Sequence, residues 1–390
     1  MNCNANPIDM KRVAFLFGSG ISRLSNAPGV CEITDALLNA GWCDDGNLHF
    51  SPSETKSIGT AQRAQDFLRV LKKYIDPHLR HRENRESHYE DLFSAAEQIL
   101  QDETCEIVNP MIFGSVSEIQ KLVMGLYHGQ ATDGCPNPFA FLVYSATLLI
   151  RWGVFNMLWP IKTSKGLEVL TSCAKEVMQM DIFSLNHDLL IERQLEQTGV
   201  PFSDGFSENR GDVLRFNSSW NNENRVRLYK LHGSLDWYPF VFSDSLLQFA
   251  KVPRNVDPHN CKDNNGDDLT PKNTVPLVLT GTTGKDRLYT VGFVGEVFRQ
   301  FHARLNEHDT LICCGYGWKD KGINNYVNQW LHNSQNKRII ILNNGSLDKL
   351  KQTQYWSKHW TPCEQEKRVV VVPKWLSDCT LNDLEPFFDN

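Results

Sequence analysis

The chain has 390 residues, with 40 Lys or Arg against 46 Asp or Glu, so its net charge is −6. That balance excludes a protein whose whole surface is a nucleic-acid footprint, which would be strongly basic, and leaves room only for a local basic stripe. An apolar share of 41% excludes disorder, and the length gives two or three folding units or one enlarged α/β domain with a large core.

The N-terminal stretch Met1 to Asp9 is polar and carries no secretion-signal pattern. Val13-Ala14-Phe15-Leu16-Phe17 is a continuous apolar run that predicts a fully buried parallel strand. Gly18-Ser19-Gly20-Ile21-Ser22 follows at once, in the place where a nucleotide-binding α/β sheet makes its phosphate or ribose contacts. From about Asp44 to Lys165 strand signals are scarce. Ala61 to Ile75 and Tyr89 to Leu100 have helical spacing, with Tyr89, Leu92, Phe93, Ala96, Ile99 and Leu100 on one face. His78, His81 and His88 lie among Arg80, Arg82 and Arg85 and read as a solvated basic helix face rather than a metal site. Phe139 to Trp159 is apolar but interrupted by Arg151, which predicts a buried core helix rather than a membrane span.

Strand signals then return. Asp181 to Leu185 leads into Asn186-His187-Asp188 and a helix from Leu189; Arg227 to Leu231 leads into His232-Gly233-Ser234. Leu277–Thr280, Thr310–Cys314, Arg338–Leu342 and Val369–Val372 read as further buried strands, and 251–275, rich in Asn, Asp and Pro, as a mobile loop. No repeat or low-complexity tract is present. The expected fold is α/β, a Rossmann-like parallel sheet formed by 1–43 and 166–390, with a helical insertion subdomain at 44–165. Ligands bind outside the carboxyl ends of such strands, where Gly18–Ser22, Asn186, Asp188, His232, Gly315 and Asn343 converge. Each has a plainer alternative: a Gly-x-Gly turn is common, Asn186 and Asp188 can cap the following helix, His232-Gly233 can be a simple turn, and Trp237-Tyr238 can be core as readily as pocket wall. Their joint placement at strand ends favours a nucleotide site.

The 11 cysteines include no C-x-x-C pair, which excludes a zinc ribbon and, in so long a chain, a disulfide framework. They read as reduced core residues of a cytoplasmic protein, with Cys313-Cys314 ending a buried strand.

In this order the motifs resemble the sirtuin superfamily. Gly18-Ser19-Gly20-Ile21-Ser22 resembles the Gly-Ala-Gly-Ile-Ser loop that holds NAD. Ser184-Leu185-Asn186-His187-Asp188 resembles Thr-Gln-Asn-Ile-Asp at the nicotinamide ribose. Leu231-His232-Gly233-Ser234 resembles the His-Gly motif of the catalytic base. Gly315-Tyr316-Gly317 falls at the family's Gly-Thr-Ser turn and Asn343 at its Ile-Asn pair, both near the adenosine. The four zinc-binding Cys of the deacetylases are missing, Leu185 replaces the Gln, and the Asp-Phe-Arg loop is absent. Asn186 to Glu192 and His-Gly-Ser-Leu-x-Trp resemble instead the NAD-cleaving sirtuin-like domains of bacterial anti-phage defence, nearest to short proteins that assemble with a HerA-type ATPase.

The resemblance implies an NAD glycohydrolase that releases nicotinamide and ADP-ribose, linear or cyclised. It implies NAD as substrate, no zinc, and activity gated by homo-oligomer assembly or by the ATPase, with no membrane role and nucleic acid touched only through the assembled complex. Asn186 is then expected to position water or a ribose hydroxyl, Asp188 to hold the nicotinamide amide or orient a ribose hydroxyl, and His232 to take a proton. Gly18, Ser19, Gly20, Ile21, Ser22, Gly315, Tyr316 and Asn343 are expected to bind the dinucleotide, with the Gly18 and Gly20 N–H groups near its phosphates. The alternative is an NAD- or ADP-ribose-sensing module of a defence complex without catalysis; a protein deacylase is a third reading that stoichiometric zinc would revive.

Overall fold

Strand β1 (Arg12–Phe17) is built from five consecutive apolar residues, all buried, and only a position between two strands and beneath two faces of packing satisfies such a run. In the computed structural model, which describes residues 11–106, 109–128, 137–218, 220, 225–242, 247–281 and 285–389, β1 has that position. The Met1 to Asp9 expectation lies outside the described residues. The further strands of its sheet are β2 (Gln179–Ser184), β3 (Phe202–Ser203), β4 (Val226–Lys230), β5 (Thr310–Cys314), β6 (Arg338–Leu342) and β7 (Val369–Val372). They run in the order β7-β6-β5-β1-β2-β4-β3, every pair parallel. The chain therefore leaves β1 toward β2 on one side and returns to β5 on the other, which puts the topological switch point between β1 and β5.

Alternate residues cover the two faces. Val13, Phe15, Phe17, Ile182, Leu228, Ile312 and Ile340 join one apolar cluster with the helices Glu168–Glu176 and Leu190–Gln197. On the other face Phe183 packs edge-on against Phe301 of the helix Gly292–Leu305, ring centroids 4.7 Å apart, and against Tyr229 at 5.3 Å. The sheet is thus the middle of three layers. Each fully buried Phe, Ile or Leu contributes about 1.5–3 kcal/mol by leaving water, so this core dominates the stability of the sheet.

Two segments differ from the sequence expectation. Leu277–Thr280 is not a strand: only Val278 forms an isolated bridge, to Gly233. The short apolar run instead crosses the turn after β4, where Leu277 O accepts from Ser234 N at 2.9 Å. Segment 251–275 carries a small hairpin, Cys261–Lys262 with Asp268–Leu269. Its buried Cys261 and Leu269 pack with Val252, Phe240 and Ala250, so apolar anchoring overrides the polar composition. A four-stranded antiparallel sheet also appears that alternation in the sequence does not announce. Its strands are Phe206–Arg210, Val213–Phe216, Leu247–Lys251 and Trp237–Val241, in that order.

The chain divides into two compact units. One, residues 11–27, 161–278 and 286–389 of those described, holds the sheets above. The other, Pro28–Pro160 with Leu279–Lys285, is among its described residues mainly helical, with a hairpin of Gly41–Asp44 and Phe50–Ser53. Its helices Gly59–Glu83 and Tyr89–Glu103 bury the predicted faces. His88 is not on the basic helix; it precedes Tyr89–Glu103, and Arg85 is paired with Asp91 at 2.7 Å. Pro138–Leu158 is the one helix among the described residues long and apolar enough to cross a membrane, and 72% of its most apolar window is buried. Arg151 in that helix lies over the Phe93 ring at 5.2 Å.

Candidate functional site

The switch point is where the two glycine turns meet. The N–H of Gly18 donates to Cys314 O and that of Gly20 to Gly315 O, both at 3.1 Å. A Cβ on Gly18 would lie 2.6 Å from Gly315 O, and one on Gly20 2.5 Å from Gly315 Cα. Gly315 has φ +66° and is equally closed, 2.6 Å from Ile21 N. These glycines are required because two backbone segments touch, and their N–H groups are engaged inside the turn rather than presented to a phosphate. Ile21 points into the apolar cluster under the sheet, Ser19 is exposed, and Ser22 is buried.

Ser22 joins this turn to the end of β2. Its hydroxyl donates to Asp188 Oδ2 at 2.7 Å and accepts from Asn186 Nδ2 at 3.0 Å. The other Asp188 oxygen accepts from Leu190 N at 3.1 Å, so Asp188 satisfies the first N–H of the helix Leu190–Gln197 while holding Ser22. Lys230, buried at the end of β4, clamps the same turn: its ammonium donates to the Asp188 carbonyl and lies 3.1 Å from Glu192 Oε1. Burial pushes the Glu192 carboxyl up, and the Lys230 charge opposes that.

The arrangement fixes the Asn186 amide. The Ser22 proton goes to an acceptor-only carboxylate, so its oxygen must accept from a donor, and that donor is Nδ2. Asn186 Oδ1 is then the acceptor left over; it is buried and has no hydrogen-bond partner. A buried amide oxygen without a partner costs about 1–3 kcal/mol, which a ligand hydroxyl or water repays.

His232 follows β4, and Gly233, with φ +82°, turns the chain where a Cβ would lie 2.1 Å from Leu277 O. The His232 ring is 6.3 Å from that of His187. Its Nε2 lies 3.0 Å from Asp320 Oδ2 and 3.1 Å from Tyr289 Oη, and the Tyr289 hydroxyl donates to Asp320 Oδ2 at 2.7 Å. Asp320 Oδ1 caps the helix Lys321–His332 through Ile323 N at 3.0 Å. Tyr316 turns its hydroxyl to Asp320 O and Asn324 Oδ1, at 3.2 and 2.7 Å. Contacts thus run from the glycine turns through Tyr316 and Asp320 to His232, then His187, Asn186 and Ser22. Asn343 stands apart, at the end of β6, where its Oδ1 closes its own turn on Gly345 N at 3.0 Å.

Tyr289 and Asp320 were missed by sequence reading. Asp320 opens a helix and looks only like a cap, while Tyr289 lies in no motif. Trp237 and Tyr238 are buried in the antiparallel sheet, Trp237 against Phe206 at 4.9 Å, so they are core. Cys313 and Cys314 are also core, and burial pushes the Cys314 thiol up to about 12. Among the described residues, no group of three or more His, Cys, Asp or Glu is placed to hold a metal ion.

Comparison with known proteins agrees with the motif order over part of the chain. Residues 181–361 match the family model of the SIR2-like domain. No curated protein matches the chain. Among solved structures, a Sir2 homologue–NAD complex is similar at 13% identity and TM-score 0.37, covering 97% of this chain and 90% of that one. A Sir2–p53 peptide–NAD+ complex is similar at 11% identity and TM-score 0.36, covering 97% and 95%. Likeness at that level bears on no ligand or activity of this chain.

Proposed function

We propose that the chain is an NAD glycohydrolase whose SIR2-like site is formed by Asn186, His232 and Asp188. One observation carries this reading: Asn186 Oδ1 is buried without a hydrogen-bond partner while Nδ2 of the same amide is held by Ser22, in a chain whose His232 is backed by a carboxylate. A purely structural turn has no use for an orphaned acceptor.

Cleavage breaks the bond between nicotinamide nitrogen and ribose C1′. The electron pair goes to the nitrogen, neutralising the pyridinium, so the leaving group needs little acid help. A water oxygen bonds to C1′ and gives up one proton, leaving nicotinamide, ADP-ribose and a proton. The transition state is oxocarbenium-like. Asn186 Oδ1 accepts from the water or a ribose hydroxyl and so fixes its direction. His232 takes the released proton. Asp188, with both oxygens bonded internally, orients Ser22 and Asn186. Gly18, Ser19, Gly20, Ser22, Gly315 and Tyr316 line the approach at the switch point, with Ile21 beneath and Asn343 farther along the edge toward the adenosine end. The main part of the helical unit, Pro28–Pro160, is the insertion that the sheet-bearing domain carries between β1 and β2.

The biological reading rests on the resemblance of Asn186 to Glu192 and of His232 to Trp237 to defence sirtuins. In that reading the protein is a cytoplasmic, NAD-depleting effector of anti-phage defence, held inactive until it assembles with itself or a HerA-type ATPase.

The test is nicotinamide release from NAD by the purified chain, alone and with the ATPase, with Asn186→Ala and His232→Ala alongside. Release that falls at least 100-fold in both variants is the expected result. No release under either condition, with NAD still raising the melting temperature, overturns the glycohydrolase in favour of a sensor.

A further inference from the structure

Two groups within hydrogen-bond distance of His232 Nε2 are hydrogen-bond acceptors. Asp320 Oδ2 is a carboxylate oxygen, 3.0 Å away. Tyr289 Oη is 3.1 Å away, and its proton is committed to Asp320 at 2.7 Å. A hydroxyl that has donated can only accept. Nε2 therefore carries a proton, and the basic lone pair of the neutral ring is on Nδ1. The carboxylate itself is held, because its other oxygen caps the helix Lys321–His332 and its own backbone carbonyl accepts from Tyr316. Its side chain is 10% exposed, so water screens the pair poorly.

We propose that Asp320, braced by Tyr289, is the positioning residue of His232: it fixes the Nε2–H tautomer, aims Nδ1 as the base, and stabilises the imidazolium once the proton has been taken. The pair is a carboxylate–imidazole dyad that joins the loop after β5 to the turn after β4, with Tyr289 supplied from the segment before the helix Gly292–Leu305. The base role of His232 rests on the glycohydrolase reading above; the tautomer does not. Among the described residues, Asp320, Tyr289 and His187 are titratable groups in contact with the ring.

The full chain, labelled with 15N-histidine, separates the two. The His232 signals are those missing from His232→Gln. The wild type is expected to show Nε2–H, and Asp320→Asn, which keeps the helix cap through Oδ1 but turns an amide toward Nε2, is expected to shift the ring to Nδ1–H. Nicotinamide release by Asp320→Asn should fall on the order of 10²–10³-fold, mainly in kcat, with the acidic limb of its pH profile moved to lower pH. Tyr289→Phe should keep the tautomer and lose less than about tenfold. A wild-type ring protonated at Nδ1 overturns the inference even if Asp320→Asn fails to fold, as does an Asp320→Asn protein with the wild-type tautomer and pH profile. A wild type with Nε2–H that never releases nicotinamide removes the glycohydrolase and leaves the dyad standing.

Discussion

The Ser22 hydroxyl has a single proton, and Asp188 takes it at 2.7 Å. Everything about the Asn186 amide follows from that: with Nδ2 held at 3.0 Å by the same oxygen, Oδ1 has one direction. Ser22→Ala frees the amide to rotate. Its turnover should fall on the order of 10–100-fold, since small misplacements at a reacting centre carry penalties of that size. Stability should change by only about 1 kcal/mol, the net worth of one hydrogen bond. Nicotinamide release measured beside the melting temperature checks both; a Ser22→Ala protein with the wild-type rate would remove Ser22 from the orienting chain.

At the scale of elements, the contact between the turns after β1 and β5 decides the shape of the switch point. Gly20→Ala places a Cβ 2.5 Å from Gly315 Cα, which is backbone and cannot yield as a side-chain tip can. Overpacking of this kind costs about 1–3 kcal/mol, and the urea midpoint should drop accordingly. Gly315→Ala adds the strain of a left-handed backbone to a Cβ 2.6 Å from Ile21 N, so it should be at least as damaging. Gly317→Ala is the internal control: nothing lies within 4 Å of its Cβ position, and its midpoint should stay near wild type. Equal midpoints for Gly20→Ala and Gly317→Ala would show that the turns are looser than the contact implies.

Across the sheet-bearing unit, the amino ends of the strands are tied by a second buried charge network. Asp181, in the amino half of β2, is held by Arg227 at 2.6 Å and by His308 Nε2 at 2.7 Å, and His308 Nδ1 reaches Asp389 at 3.2 Å. Burial works against the His308 charge, but the hydrogen bonds and charges of Asp181 and Asp389 outweigh it and raise the imidazole above its ordinary 6.5. A histidine with a raised folded value binds its proton more tightly folded than unfolded. Its stabilisation is therefore complete below about pH 6.5 and lost as the pH rises through the folded value. Urea midpoints should decline over that interval in the wild type, and His308→Asn should flatten this part of the curve. A decline of the same size in His308→Asn would assign it to other groups.

The apolar runs of β1, β2, β5 and β6, the helices of the insertion and the candidate residues at the strand ends were legible in the sequence, because they rest on local periodicity and on turn chemistry within a few residues. The antiparallel sheet from Phe206 to Lys251 was not, since its short strands mix polar and apolar residues and take their burial from partners far along the chain. Leu277–Thr280 misled for the converse reason: an apolar run is buried equally well across a turn as along a sheet. At the site, the sequence by itself determined which groups stand at the carboxyl ends of the strands: Gly18–Ser22, Asn186, Asp188, His232, Gly315 and Asn343. Only the tertiary structure decided what those groups do to one another. It turned the glycines into a backbone contact, set the direction of the Asn186 amide, and brought Tyr289 and Asp320 to His232. Hydrogen bonds between loops depend on where distant strands end in space, and no local pattern of residues encodes that.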